Sequence, residues 1–307
     1  MIDQDQQQHA HPPGDFGYYF HHRPPRHSTR NRLILAIWLN MVMMIAEVIG
    51  GIWTNSLALL SDAGHMLTHV FALVVSYVAL QLASRGLTTD KTYGYYRAEP
   101  IAALINGITI LLIVAVIVIE AVKKFFMPSP ILAEQMFVIA VAGLIVNLAG
   151  AFILKESAKD DINIKGAFVH LLTDLVSSIA IVAGGIVIMW TGWELIDPLL
   201  SLVISGVVLV WGIRLINEST HVLMEGVPPT VDVEDLTRRV GSLEGVLAVH
   251  DVHVWQVSSG MVAMTCHILV DDIRISETDP IRGRINHLVS EEYGVGHTNL
   301  QFESTLS

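Results

Sequence analysis

The chain has 307 residues, of which 52% are hydrophobic and only 15% charged, and its mean hydropathy is +0.54. A soluble domain of this length is nearer a quarter charged, so the composition excludes an ordinary wholly soluble protein. The net charge of −11 excludes nucleic acid as a partner, and the single cysteine, Cys266, excludes an internal disulfide framework or a thiolate metal cluster.

The first 31 residues are rich in Gln, His and Pro and lack the charged-then-apolar pattern of a cleaved signal peptide; they read as a disordered cytoplasmic tail. Its His9, His11, His21, His22 and His27 could gather metal loosely or have no such role. A membrane-spanning helix needs about 20 mostly apolar residues. Six stretches qualify, at roughly 33–54, 56–83, 99–122, 132–154, 166–190 and 195–216, so residues 32–217 read as a six-helix transmembrane domain. An even number of spans puts both termini on one side. Arg23, Arg26, Arg30 and Arg32, then Arg85, Lys91 and Arg97, then Lys155, Lys159 and Lys165 lie on that side, against Lys123 and Lys124 on the other. That bias places both termini in the cytoplasm of an inner-membrane, multi-pass protein.

Ionisable residues at membrane depth are costly and mark function. The second span carries Asp62, His65 and His69 along one face, and the fifth carries His170 and Asp174 four residues apart. Two helices that each present an i, i+4 pair can close a four-ligand site between them. Imidazole nitrogen with carboxylate oxygen suits Zn²⁺ and its neighbours, whereas Mg²⁺ and Ca²⁺ want more oxygens. Hydrogen bonding between helices is the structural alternative for these polar groups. A metalloprotease is not indicated, because Met66 and Leu171 follow the first histidine of each pair where H-E-x-x-H needs Glu. Glu47, Asn40, Asn106, Glu120 and Asn147 could line a watery path or bind helices together, and Asp197-Pro198 reads as a cap for the sixth helix.

Residues 218–307 read as a cytoplasmic soluble domain. From Thr220 onward there are thirteen acidic residues against five arginines and no lysine, a balance that attracts cations. The segment 231–245 has the pattern of an amphipathic helix. "VLAVHDVHVW" and "MVAMTCHILV" flank Ser258-Ser259-Gly260 as a hairpin. A second helix follows, with Ser276 as its N-cap, Pro280 in its first turn and Gly294 at its end, and then a last strand, "TNLQFES". Helix, strand, strand, helix, strand describes an α+β ferredoxin-like sandwich. Strand alternation sends His250 and His253 to opposite faces, so only one of them should share a site with His267.

"NSLALLSDAGHML", "YGYYRAEPIAALINGI", "HLLTDLVSS" and "VHDVHVW" occur in this order. Together they resemble the cation diffusion facilitator family, in particular its bacterial zinc-exporting branch, from about Arg32 to Glu303. The resemblance implies a homodimeric proton-coupled antiporter that moves a divalent metal out of the cytoplasm, with six helices and a metallochaperone-like cytoplasmic domain. It implies Zn²⁺ as transported ion, with Co²⁺, Ni²⁺ or Cd²⁺ as alternative main substrates, and no organic cofactor. Its transport site would be His65, His69, His170 and Asp174. The branch has Asp at position 69, so here three imidazoles and one carboxylate carry one negative charge where two carboxylates would carry two. An imidazole, with a reference pKa of ~6.5, exchanges protons in the physiological range more readily than an aspartate at ~3.9. Either His69 is a ligand for which protons and metal compete, or it turns aside and Asp62 moves closer. In the soluble domain the resemblance implies a metal site of His250, His267, Gln301 and Glu303, with His297 as a further contributor. The loop metal site of some relatives should be absent, since the loop has Asp90 but Tyr95 where a ligand His would stand.

The rival class is an intramembrane metal-dependent enzyme, which needs an open coordination position and a general base; Asp62 is the nearest candidate. A membrane-anchored metal sensor would leave the intramembrane ligands without a role.

Overall fold

The computed structural model describes residues 27–83, 91–92, 94–155 and 162–305. Six long helices come first: α1 (His27–Thr54), α2 (Leu57–Ala83), α3 (Ala98–Phe126), α4 (Ala133–Leu154), α5 (Ile162–Thr191) and α6 (Ile196–Leu223). Among the described residues, α3, α4, residues 171–191 of α5, and α6 are long and apolar enough to cross a membrane, and Trp38–Thr54 of α1 adds a shorter apolar stretch. Ile52, Leu112, Val176, Val203 and many similar side chains are exposed on the outside of this bundle. That pattern suits a hydrocarbon surrounding rather than water.

The bundle is built from helix pairs. α3 lies along α6 and α4 along α5, while α2 touches α1, α3, α5 and α6. Two glycines set the approach of α3 to α6. A Cβ on Gly107 would fall 2.6 Å from Ile216 Cγ1, and one on Gly212 would fall 2.6 Å from Ile110 Cγ2. In lipid, such backbone proximity stands in for the hydrophobic drive that helix packing has in water.

The far end of the bundle departs from the sequence expectation. Asp197 is fully buried and does not cap its own helix, whose N-cap is Leu195 with no side-chain hydrogen bond. Its carboxylate instead accepts from Ser56 Oγ at 2.6 Å, Leu57 N at 2.8 Å and Ala58 N at 3.1 Å. These are the first groups of α2, whose N–H dipoles favour an anion there. Lys124 of α3 stands 3.6 Å from the same carboxylate and also donates to the Asn55 carbonyl, so three helices are tied at one point.

The C-terminal part contains α7 (Val233–Gly241), β1 (Ala248–Ser258), β2 (Met261–Val270), α8 (Ile275–Tyr293) and β3 (Val295–Ser304). The sheet order is β1-β2-β3, with β1 antiparallel and β3 parallel to β2. One face of the sheet, with Met264, Cys266 and Ile268, packs on Leu236 and Val240 of α7 and Ile281, Ile285 and Val289 of α8. Asp232 caps α7 by accepting from the Glu234 and Asp235 amides. The start of α8 corrects the expected Ser276 cap. The N-cap position is Arg274, whose amide donates to the Glu277 carboxylate at 2.8 Å, and Pro280 falls beyond the first turn. Gly294 ends the helix with a left-handed φ of 67°, as a C-cap glycine does.

Candidate metal sites

His65 and Asp174 meet inside the bundle. His65 lies on α2 and Asp174 on α5, both side chains are buried, and His65 Nε2 is 3.3 Å from Asp174 Oδ1. The His65 ring rests edge-on against Trp211 of α6 at 5.8 Å. An imidazole nitrogen and a carboxylate oxygen are donor atoms of the kinds a tetrahedral metal set uses. His69 and His170 sit one helical turn from them, on α2 and α5, by their positions in the chain. Their side chains lie outside the described part of the structure.

The neighbouring polar groups fall into distinct roles. Ser177 of α5 donates to Asp62 Oδ1 at 2.7 Å and to the Asp174 carbonyl at 2.9 Å. Asp62 thereby joins α2 to α5 one turn away from His65. Asn147 of α4 donates to Ser178 of α5 at 3.0 Å, a bond between paired helices. Glu47 of α1 is buried, and its Oε1 would lie 2.7 Å from a Cβ at Gly143, so this glycine of α4 makes room for it. Glu120 pairs with Lys123 at 2.5 Å on the exposed surface, away from the bundle interior.

A cavity of about 300 Å³ runs from His65 along α6 and is lined by Thr68, Asn106, Trp211, Arg214 and Glu218. A second cavity, of about 360 Å³, shares Glu218 and Leu215 with the first and reaches the Ser258-Ser259 hairpin tip and Glu99. The beginning of α3 meets the C-terminal part at this junction. Arg97 pairs with Glu225 at 2.6 Å, and the Ser259 amide donates to Glu99 at 3.3 Å. Asp90 of the expected loop site lies outside the described structure, while Tyr95 is within it; His9, His11, His21 and His22 also lie outside, and α1 opens at His27.

The second cluster lies on the outer face of the sheet. His250, His267 and Glu303 each bring a ligand atom within 4.8 Å of the others. Glu303 Oε2 is 3.1 Å from His250 Nε2, and Glu303 Oε1 is 2.8 Å from His267 Nδ1. Gln301 enters as a donor, its amide 3.0 Å from Glu303 Oε1. Burial works against the Glu303 charge, but the Gln301 hydrogen bond and the imidazoles of His267 and His250 outweigh it and hold the carboxyl below its usual range. His297 pairs with Ala263, four residues down the strand from the Gln301–His267 pair, and so lies about 13 Å away.

The register overturns the expected opposite faces of His250 and His253, although only His250 joins the ligand cluster with His267. His250 pairs with His267, but His253 pairs with Thr265. Two residues of β1, Asp251 and Val252, therefore oppose Cys266 alone on β2, which is a β-bulge. Thr265 and His267 are two apart on one strand and share a face, so His250 and His253 share it too. Asp251 takes the irregularity with a φ of 51°, a left-handed conformation that Asp tolerates better than most residues. It becomes part of the cluster, with Oδ1 3.1 Å from His253 Nε2 and Oδ2 3.5 Å from His267 Nε2. Reading the strand as regular hid Asp251. Its one available signal was an Asp within a β-branched run, a residue that favours bulges and turns.

The sequence matches the model of the cation efflux transmembrane domain over residues 33–224 and that of the cation efflux protein cytoplasmic domain over residues 228–305. It is 40% identical over 279 residues to a cadmium, cobalt and zinc/H(+)-K(+) antiporter of Bacillus subtilis, covering 89% of each chain. It is 36% identical over 281 residues to the zinc transporter ZitB of Escherichia coli, covering 91% of this chain and 89% of that one. It is 35% identical over 271 residues to the metal cation efflux system protein CzcD of Cupriavidus metallidurans, covering 88% and 85%. Among solved structures, the metal-bound C-terminal domain of that CzcD transporter aligns at 25% identity over 24% of this chain and 99% of that one, with a TM-score of 0.22.

Proposed function

The chain belongs to the cation efflux family, and from that premise we propose that it exports a divalent metal, Zn²⁺ foremost, from the cytoplasm in exchange for protons. It is a secondary transporter rather than an enzyme. Cobalt and cadmium, named for the Bacillus relative, are alternative cargoes, and Co²⁺ takes the same nitrogen and oxygen donors as Zn²⁺. The observation that carries the reading is the buried cross-helix contact of His65 with Asp174 at 3.3 Å. His69 and His170 complete four ligands around it.

Each ligand binds metal only when deprotonated, so loading the ion displaces protons and reprotonation favours its release. A shift of α2 and α6 relative to α5 would expose this midplane site alternately to each side. The cavity along α6, which shares Glu218 with the one that reaches the Ser258-Ser259 hairpin tip, supports an approach to the site from the cytoplasm. The charge bias of the loops supports both termini in the cytoplasm. Asp62, the base an intramembrane enzyme would need, is instead hydrogen-bonded to Ser177 across the helix pair.

The sheet face supports a second, regulatory metal. Two imidazoles and a carboxylate converging within 4.8 Å fit Zn²⁺, with Gln301 adjacent. A metal held there would fix β1, β2 and β3 to one another and offer a remaining coordination position to a second copy. The match to the family's cytoplasmic domain supports a homodimer assembled through this part.

The test is Zn²⁺ flux into proteoliposomes under an imposed pH gradient, comparing wild type with His170→Ala and His69→Ala. Gradient-dependent flux lost in both variants supports the four-ligand antiporter. Flux lost only with His170→Ala keeps the transporter and removes His69 from the site. No flux of any divalent metal by oriented, folded protein would overturn the reading.

A further inference from the structure

Imidazoles and carboxylates alternate in a row across the outer face of the sheet. His250 meets Glu303 at 3.1 Å, Glu303 meets His267 at 2.8 Å, His267 meets Asp251 at 3.5 Å, and Asp251 meets His253 at 3.1 Å. The metal reading uses His250, His267 and Glu303. Asp251 and His253 are left over, although the bulge and the left-handed φ at Asp251 are what bring them there.

The two nitrogens of His267 face different carboxylates: Nδ1 faces Glu303 and Nε2 faces Asp251. A neutral imidazole has one N–H and one lone pair, and a carboxylate can only accept. A metal on the Glu303 side takes the Nδ1 lone pair, which leaves the hydrogen on Nε2, pointing at Asp251. The same count argues against two metals flanking His267, since a neutral ring has no lone pair for the second. We propose that Asp251 is a positioning residue for the cytoplasmic metal site. It holds His267 in the Nε2–H form and aims Nδ1 at a metal shared with His250 and Glu303, as carboxylate–histidine–metal arrangements do. His253 anchors the other oxygen of Asp251 and so fixes where that carboxylate sits. The proposal rests on the reading of this face as a metal site.

The experiment is a Co²⁺ titration of the purified full-length chain carrying Asp174→Ala, which disables the membrane site. The absorption component that His267→Ala removes reports the sheet face. Asp251→Gly keeps the left-handed backbone and deletes the carboxylate, while Asp251→Asn keeps an acceptor oxygen. Asp251→Gly should weaken that component on the order of 10–100-fold, with one Co²⁺ per chain and an unchanged spectral shape, and Asp251→Asn should recover most of the affinity. Unchanged affinity in Asp251→Gly overturns the proposal. So does an Asp251→Asn variant as weak as Asp251→Gly, which would make Asp251 a direct ligand, and so does a component of two Co²⁺ per chain. If His267→Ala removes no component, the reading of the face as a metal site fails as well.

Discussion

Asp197 and Ser56 are 141 residues apart, yet Ser56 Oγ donates to Asp197 Oδ1 at 2.6 Å, and both residues are fully buried. The first turn of α6 thus caps the start of α2, the helix that carries His65. Because Lys124 of α3 joins the same carboxylate, this end of the bundle is held as a unit while the cavity along α6 opens at the other.

Replacing Asp197 by Ala should therefore destabilise the protein by about 3–5 kcal/mol, because it leaves Lys124 buried without its counter-charge and two α2 amides without an acceptor. Asp197→Asn should cost less, since it retains an acceptor oxygen. Thermal unfolding in detergent checks the order; equal stability of all three proteins would show that the cap contributes nothing.

Position 69 has a direct test of chemistry. His69→Asp restores the carboxylate that the zinc-exporting branch carries there, and gradient-driven Zn²⁺ flux should survive it while His69→Ala abolishes flux. Complete loss of flux in His69→Asp would count against position 69 as a ligand position.

Glu218 and Arg214 are one helical turn apart on α6 and line the cavity that ends at His65. A carboxylate at the mouth concentrates cations, and its removal leaves the arginine to repel them. Glu218→Gln should raise the apparent KM for Zn²⁺ several-fold with little change in maximal rate, and the effect should shrink at high salt. A KM unchanged at low ionic strength would show that metal does not enter by this cavity.

Cys266 is buried on the inner face of the sheet, where burial pushes its thiol up to about 11. Iodoacetamide should leave it unmodified at pH 7.5 in the folded chain and modify it on denaturation. Between the ordinary value of 9.0 and about 11, the folded thiol keeps a proton that the unfolded one gives up. Stability should accordingly fall as pH rises through that window and be unaffected by this group near neutrality. Rapid alkylation of the native protein would contradict the burial.

The broad plan of this protein was legible in the chain because it depends on local pattern. Long apolar runs make helices that lipid can surround, the β-branched runs on either side of Ser258-Ser259-Gly260 make the β1–β2 hairpin, and Gly294 stops α8. His65 and Asp174 stood out in the sequence because each places an ionisable group in an apolar helix, and the structure brings the two within 3.3 Å. Other assignments failed where the deciding neighbour is remote in sequence. Nothing near Asp197 says that it serves α2 rather than α6; that choice follows from the packing of α6 beside the α1–α2 turn, where two backbone amides would otherwise be buried without acceptors. In "VHDVHVW" only the Asp hints at a bulge and nothing fixes it, because the register of β1 is set by its pairing with Thr265 and His267 of β2. The sequence by itself determined which residues can bind metal, since donor atoms are a property of side chains. The tertiary structure alone decided which of them converge, because convergence depends on how helices pack and on how one strand yields a residue to its neighbour.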